Sequence, residues 1–157
     1  MVDAMAAPQR PSQPATRRGP PSRANLPQLS AAAQTERCPY QPSDVSITLD
    51  FELPVPDALA QLALTEMTSA PVVDDNHVLV GLVTTSALLL LSDDDEADVE
   101  DAMSMSVVSA MEGATVAEVA RLLADHGLER LPITDSAGHL VGVVTALDLL
   151  EWFAARL

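Results

Sequence analysis

The residues with the clearest chemical potential lie at 142–148, GVVTALD. An apolar strand ends here and a helix begins, and the first N–H groups of a helix lack intrahelical acceptors and attract phosphate. The Thr145 hydroxyl can assist there, and the Asp148 carboxylate can accept hydrogen bonds from both hydroxyls of a ribose. The same two residues can instead cap their own helix, because they have capping-box spacing. On local chemistry the two interpretations are equally good.

The elements that must position this run occur twice in the chain. Residues 131–150 predict a strand, a tight turn at Gly138, a second strand and a helix that begins at Thr145. The same pattern occurs 61 residues earlier, and 12 of the 42 positions in 48–89 and 109–150 are identical. An internal repeat of this kind predicts one structural unit formed twice.

Each repeat also begins with a strand and a helix. A strand is predicted over 45–49, and Pro54 and Asp57 favour the start of a helix after it. In the second repeat the helix is predicted to begin at Thr115, which forms a capping box with Glu118. Strands that alternate with helices predict an α/β (α+β) fold with short sheets backed by helices.

The composition restricts the class of protein. The chain has 157 residues, 48% of them apolar but only 3% aromatic, so its core must be aliphatic. A single cysteine, Cys38, fits a reducing compartment, and we expect a cytoplasmic protein. No apolar run is long enough to span a membrane, and no secretory signal is evident, so we expect no membrane association.

Charge divides the chain in two. Residues 1–37 carry a net charge of +3 and residues 38–157 a net charge of −18. An acidic body repels a phosphate backbone, so nucleic acid is excluded as a partner of the folded part. Residues 1–43 hold eight of the twelve prolines and are predicted to be a disordered tail. The alternative is a basic arm or targeting sequence built on these arginines: Arg10, Arg17, Arg18 and Arg23.

The other reactive side chains do not form a catalytic set. The three histidines are isolated, and the acidic run 93–98 lacks the glycine and spacing of a calcium loop, so it is predicted to be a solvated linker. No nucleophile stands near a base, so we expect no catalytic residue, no metal and no enzyme. The last helix carries an apolar stripe that either packs on the other repeat or meets a second copy of the chain: Leu147, Leu150, Phe153 and Leu157, with Leu149 and Trp152 beside it.

Several short motifs together resemble the CBS domain, the regulatory domain type of cystathionine β-synthase, present here as a tandem pair. They are DAM at 101–103, VVS at 107–109, LPITD at 131–135 and GVVTALD at 142–148. The resemblance implies two β-α-β-β-α repeats packed about a pseudo-two-fold axis, over 44–92 and 99–157, with the linker 93–98 between them. It also implies a homodimer.

The resemblance further implies an adenosyl ligand, AMP, ADP, ATP or S-adenosylmethionine, bound between the repeats, and no required cofactor. Asp148 would hold the ribose hydroxyls, with Thr145 on the ribose or phosphate and Arg130 facing the phosphate. Ser109, with the backbone around Val108 and Ala110, would border the adenine. Pro132 and Ile133 would line its apolar wall.

The first repeat departs from this pattern. Ala87 stands where the second repeat has Asp148, and Ser69 where it has Arg130. We therefore expect at most one adenosine site per chain, which relays its occupancy to an unidentified protein partner or to the oligomer. Because the body is acidic, AMP, ADP or cationic S-adenosylmethionine is expected to bind better than metal-free ATP. The alternative is a ligand-free dimerisation scaffold of the same fold.

Overall fold

The computed structural model describes residues 26–42 and 47–157. In chain order its elements are α1 (Leu26–Thr35), β1 (Gln41–Pro42), β2 (Leu49–Asp50), α2 (Val55–Leu64), β3 (Ser69–Val73), β4 (Leu79–Thr84), α3 (Thr85–Leu90), α4 (Val99–Ala102), β5 (Ala110–Met111), α5 (Val116–His126), β6 (Arg130–Thr134), β7 (Leu140–Thr145) and α6 (Ala146–Ala154).

The two repeats form two equivalent sheets, which confirms the predicted α/β fold. In the first, β2 pairs in parallel with β3 and β3 antiparallel with β4; in the second, β5, β6 and β7 pair in the same way. Even the irregularities correspond, because the register shifts at Val72/Val73 and at Ile133/Thr134. The second sheet has one more strand, because β1 pairs antiparallel with β7 and gives the order β1-β7-β6-β5.

Local sequence signals account for most helix boundaries. Helix α5 begins with the predicted capping box, in which the Thr115 N–H donates to Glu118 Oε2 at 2.7 Å and the Glu118 N–H donates to Thr115 Oγ1 at 3.3 Å. It ends at Gly127, whose φ of 61° is the left-handed conformation that glycine adopts without strain. Helix α2 begins after Pro54, with Asp57 in its first turn, as predicted.

The hairpin turns of the two repeats bind each other. The Leu79 N–H donates to the Gly138 carbonyl at 3.0 Å, and the Leu140 N–H donates to the His77 carbonyl at 3.0 Å. His77 and Gly138 occupy equivalent positions, and both have a positive φ. These reciprocal bonds join the repeats about a pseudo-two-fold axis.

The segment before each repeat packs on the opposite repeat. The Glu36 carbonyl accepts the Val116 N–H at 3.1 Å, and the Ala97 carbonyl accepts the Val55 N–H at 3.1 Å. Both bonds satisfy the first N–H of a helix. The structural repeat therefore reaches back to residues 36–42 and 97–103, further than the identical residues in the sequence indicate. We call residues 36–42 the arm.

The structure corrects the tail prediction for residues 26–42. These residues form α1 and the arm, which contains β1. Leu29, Ala33 and Cys38 are buried. Helix α1 is stabilised because its apolar side chains pack on α5. The proposed roles for Arg10, Arg17, Arg18 and Arg23 lie outside the described residues.

Each repeat has its own aliphatic core. The first is built around Val55, Leu62, Val72, Val83 and Leu88, and Ala97 of the predicted linker is buried against it, whereas residues 93–96 are exposed. The second is built from these buried residues: Ala33, Cys38, Ala110, Val116, Val119, Leu123, Leu131, Ile133, Val144, Leu149 and Trp152.

The predicted apolar stripe of α6 is largely exposed, and the flanking residues are the ones that pack inward. Leu149 and Trp152 are the buried side chains, whereas Leu147, Leu150 and Leu157 are exposed. The α1 helix supplies a surface that the sequence did not reveal, and Phe153 is half-buried near Leu29 and Ala33 of that helix.

Candidate functional site

The junction of β7 and α6 forms the predicted capping box. The Asp148 N–H donates to Thr145 Oγ1 at 3.1 Å, and the Thr145 N–H donates to Asp148 Oδ2 at 2.7 Å. The Ala146 N–H donates to the Glu129 carbonyl at 2.9 Å. Three donors at this helix start therefore already have protein acceptors, which is the capping alternative of the two that the sequence left open.

Asp148 nevertheless lies at the wall of a pocket. The carboxylate is half-buried, and the pocket has a volume of about 220 Å³. Its other walls are the arm and the next turn of α6. The lining residues are Pro39, Tyr40, Gln41, Asp148, Glu151 and Trp152. We call this opening the Asp148 pocket.

The arm closes one side of this pocket through the backbone of β7. Gln41 pairs with Val143 and Pro42 with Gly142. The Tyr40 ring and the Gln41 carbonyl lie so close to Gly142 that a Cβ atom there would overlap both. Glycine is therefore required at 142 by the close approach of the arm.

The buried thiol of Cys38 lies in the electrostatic field of Asp148. Burial raises the pKa of Cys38 to about 11, and the negative charge of Asp148 adds to this increase. The thiol is therefore neutral at physiological pH and is a poor nucleophile. This agrees with a core role for Cys38, whose equivalent in the other repeat is the fully buried Val99.

Two predicted site residues line a different opening, between the repeats. Arg130 and Pro132 border it from the second repeat, and Ser69, Pro71 and Leu82 from the first. Its volume is only about 10 Å³, which is about the size of one water and far below that of a nucleotide. We call it the inter-repeat groove.

Arg130 lies beside the capping box although it borders a different opening. It is the register partner of Thr145 in the β6–β7 ladder. Its side chain is exposed, and within residues 26–42 and 47–157 it forms no ion pair. The structure therefore brings Thr145, Asp148 and Arg130 together on neighbouring backbone.

The structure does not bring the residues predicted around the adenine to the Asp148 pocket. Ile133 is 2% exposed, and it packs in the core of the second repeat with Ala110, its partner across the β5–β6 ladder. Val108 packs against the same core, and Ser109 is half-buried. None of these four residues lines the Asp148 pocket.

Sequence reasoning missed the arm as the second half of the site. Residues 36–42 and 97–103 begin with equivalent contacts, but no residue is identical between the two segments at the offset of 61. The proline content of the arm also favoured a disordered tail. The chain has only four aromatic residues, and two of them, Tyr40 and Trp152, line the pocket. The position of a rare aromatic residue in the arm is the signal that could have indicated its role.

The corresponding junction in the first repeat has the cap but lacks the carboxylate. The Ala87 N–H donates to Thr84 Oγ1 at 3.2 Å, and no acidic side chain returns the bond. The strand there is covered by Met103, whose Sδ would lie 2.6 Å from a Cβ added at Gly81. Among the described residues, the carboxylate at this junction is therefore present in the second repeat and absent from the first.

Two other features bear on function. No helix among the described residues is long and apolar enough to cross a membrane. Within the same residues, no group of three or more His, Cys, Asp or Glu side chains could hold a metal ion.

The comparisons with known proteins agree with this architecture. The family model of the CBS domain matches residues 42–94 and 99–155. Inosine-5′-monophosphate dehydrogenase of Thermoplasma acidophilum is 35% identical over 103 residues, which are 66% of this chain and 21% of the dehydrogenase. The chain thus spans about a fifth of the length of this curated relative.

Solved structures show the same pair of repeats. CBSX2, a CBS-pair protein from Arabidopsis thaliana, is 28% identical with a TM-score of 0.69, and the match covers 74% of this chain and 91% of that one. A structure of CBSX2 in complex with AMP is 29% identical with a TM-score of 0.67, covering 74% of this chain and 93% of that one. The two equivalent sheets, the segments that pack on the opposite repeat and the family match together show that this chain belongs to the CBS-domain family, as a tandem CBS pair.

Proposed function

We propose that this CBS pair is a non-catalytic regulatory module that binds one adenosine-type ligand per chain at the Asp148 pocket. The observation that carries the proposal is the position of Asp148, half-buried at a pocket wall with only one carboxylate oxygen in the cap. The second oxygen makes no hydrogen bond within the described part of the chain. A carboxylate can accept further bonds there, as it does from vicinal ribose hydroxyls.

The AMP complex of CBSX2 supports the ligand class. The two proteins are 29% identical, and the match covers 74% of the present chain. The candidates are AMP, ADP, ATP and S-adenosylmethionine. Because Ala87 replaces the carboxylate in the first repeat, we propose a single site.

The arm gives the module a way to transmit occupancy. It borders the pocket, and it is attached to β7 by only two register pairs. A ligand that contacts Tyr40 or Gln41 would change the position of the arm and of α1 before it. We propose that an unidentified protein partner or a second copy of the chain reads this change. Cys38 is a free thiol and forms no disulfide, which suits a reducing compartment. We therefore place the module in the cytoplasm.

The test is a melting-temperature screen against adenosine compounds, because a ligand that binds only the folded state raises stability by mass action. Asp148→Ala is expected to lower the affinity by about one to two orders of magnitude, since ribose hydroxyls lose their acceptor. Glu100→Ala, an exposed change on α4, is the control and should leave the affinity unchanged. An unchanged ligand-induced shift in Asp148→Ala would show that the site lies elsewhere.

A second candidate function is a ligand-free dimerisation scaffold. Large exposed leucines on the last helix of each repeat favour a homodimer: Leu89, Leu90, Leu147 and Leu150. Sedimentation of the purified chain tests this. We expect a dimer that Leu150→Glu converts largely to monomer, and a wild-type monomer would remove the dimer proposal. If no adenosine compound raises the melting temperature, the scaffold becomes the better account.

A further inference from the structure

The walls of the Asp148 pocket come from two elements. The arm provides three of its six lining residues, at 39–41, and α6 provides the other three, Asp148, Glu151 and Trp152. The pocket has a volume of about 220 Å³, whereas sites for small molecules usually have about 300 Å³ or more. The separation of the arm and α6 therefore sets the size of the pocket, and a ligand as large as a nucleoside needs the arm to move outward.

One ion pair joins the arm to the end of α6. Arg156, two residues beyond that helix, pairs through Nη2 with Glu36 Oε2. Its Nη1 donates to the Trp152 carbonyl at 3.0 Å, and its guanidinium carbon lies 3.9 Å from the centroid of the Trp152 ring. Arg156 thus contacts a residue of the pocket and a residue of the arm at the same time. We call Glu36 and Arg156 the latch pair.

The latch pair is a weak contact that can open. The Arg156 side chain is 34% exposed and that of Glu36 is 43% exposed, so water and salt screen their charges. The arm also makes two backbone hydrogen bonds with the second repeat, through the Cys38 N–H and the Glu36 carbonyl. Removing one member of the latch pair should therefore change the ratio of closed to open arms by a factor of about three to five.

The other repeat has the backbone contacts without the latch pair. The segment before the second repeat makes two bonds of the same kind, from the Val99 N–H to the Leu53 carbonyl at 2.9 Å and from the Val55 N–H to the Ala97 carbonyl at 3.1 Å. Ala97 and Asp95 stand where the latch pair would be at the offset of 61, and these two cannot form an ion pair. The backbone contacts alone thus suffice to place such a segment, and the latch pair is an addition found beside the Asp148 pocket.

We propose that the arm is an autoinhibitory strap over the Asp148 pocket, and that the latch pair holds it closed. The inference rests on the proposed function, because it assigns a regulation to the same pocket. The closed arm and a bound ligand compete for the space beside α6, so a ligand shifts the population towards the open arm. Opening separates Glu36 from Arg156 and exposes Cys38, and the movement reaches α1, which directly precedes the arm.

The first measurement is the rate at which a thiol reagent modifies Cys38 in the full chain without added ligand. Cys38 is the single cysteine and is 8% exposed, so it reacts when the arm opens. Arg156→Gln and Glu36→Gln should each raise the rate about three- to fivefold. The double variant should react no faster than the single variants, because both remove the same contact.

Two controls distinguish the latch pair from a general loss of charge or stability. Arg121→Gln removes the same charge from an exposed side chain of α5 that lies beside α1 and forms no ion pair within residues 26–42 and 47–157, so it should leave the rate unchanged. Gly81→Ala weakens the packing of the first repeat instead. If Gly81→Ala raises the rate as much as Arg156→Gln does, Cys38 reacts through unfolding of the whole chain, and the strap is wrong.

The second measurement is a titration with AMP, followed by the fluorescence of Trp152, the single tryptophan and a lining residue of the pocket. Because the open arm admits the ligand, Arg156→Gln should bind AMP about three- to fivefold more tightly than the wild type. AMP should also speed the modification of Cys38 in the wild type. A residue that only stabilises the fold would give weaker or unchanged binding when it is removed, and that result would overturn the strap.

The outcomes separate this inference from the proposed function. If AMP binds and Asp148→Ala weakens its binding, but the latch variants neither react faster at Cys38 nor bind AMP more tightly, the strap is wrong and the adenosine site stands. If the rates of Cys38 modification follow the expectation and no adenosine compound binds, the strap is supported and the proposed ligand is wrong.

Discussion

The two repeats of this chain share a backbone and differ in a few side chains at one junction. In both, a threonine ends the second long strand and caps the following helix through the N–H three residues on. In the second repeat that residue is Asp148, which returns the hydrogen bond and borders a pocket; in the first it is Ala87. The caps and the apolar strands maintain the fold, so the site can be present in one copy and absent in the other.

The segments before the repeats provide a second comparison. The arm and residues 97–103 begin with equivalent backbone contacts on opposite repeats, yet one carries Tyr40 against Gly142 and the other Met103 against Gly81. An aromatic ring is rigid, whereas methionine adapts its shape. The second repeat is therefore closed by a more rigid cover than the first.

Deleting residues 1–43 should break the equivalence of the two repeats most severely. The second core would lose Leu29, Ala33 and Cys38, and the Val116 N–H would lose its acceptor. We expect a loss of at least about 3 kcal/mol in the free energy of unfolding, measured by urea denaturation. Deleting residues 1–25 alone is the control and should preserve stability. Equal stability of both truncated chains would mean that the arm contributes nothing.

The glycines under the two covers should respond unequally to alanine. Gly142→Ala places a Cβ against the Tyr40 ring and the Gln41 carbonyl, so we expect a destabilisation of about 3 kcal/mol. In Gly81→Ala the new Cβ meets chiefly the flexible Met103 side chain, so we expect a destabilisation of only about 1 kcal/mol. Thermal unfolding measures both. A larger effect at Gly81 would contradict the contrast between a rigid and an adaptable cover.

Ala87→Asp should make the two junctions more alike. An aspartate at this position can accept the Thr84 N–H and complete a capping box on α3, which should stabilise the chain by about 0.5–1 kcal/mol. Ser86→Asp, one position earlier in the same exposed turn, is the matched control, since it lacks the spacing of the box. If both variants are equally stable by urea denaturation, the gain comes from charge near the helix start and not from the box.

The hairpin turn of the second repeat should contribute a small pH dependence to stability. Burial would raise the pKa of Asp135, but hydrogen bonds from the His139 N–H, the His139 ring and the Ala137 N–H outweigh it and hold the pKa below its usual value. Because the pKa is lower in the folded state, ionised Asp135 stabilises the fold above about pH 4, and this contribution is lost as the pH falls through the folded-state pKa.

The measurement is the melting temperature of Asp135→Asn from pH 7 to pH 3. The variant should be less stable than the wild type at pH 7, and the difference should shrink in acid. Asp74→Asn, at the equivalent turn of the first repeat, is the comparison. A difference for Asp135→Asn that grows as the pH falls would contradict the assigned direction of the pKa shift.

Much of the fold could be predicted because its signals are local. The capping box at Thr115, the helix end at Gly127 and the repeated strands follow from residue types and spacing. The inward direction of Ile133 could not be predicted, because four successive residues, 131–134, are buried and therefore show no alternation. Burial on both faces of a strand removes the periodic pattern that would assign its faces.

The candidate site could be predicted only in part. The Thr145 and Asp148 pair stands out by its spacing, but the arm that completes the pocket contacts it through backbone pairing with β7. Backbone pairing places little demand on residue identity, so the arm shares no identical residue with its counterpart. The sequence could not decide between a phosphate site and a cap at this junction, and the structure shows the cap, which engages the N–H groups of Thr145 and Asp148.

The most direct test of a single site in the second repeat is a crystal structure of this chain with the adenosine compound that binds most tightly. We predict one ligand per chain, with its ribose hydroxyls within hydrogen-bonding distance of the Asp148 carboxylate and part of the molecule against Tyr40 and Trp152. A ligand bound at the Thr84 junction of the first repeat, or one that leaves Asp148 without contact, would contradict the account.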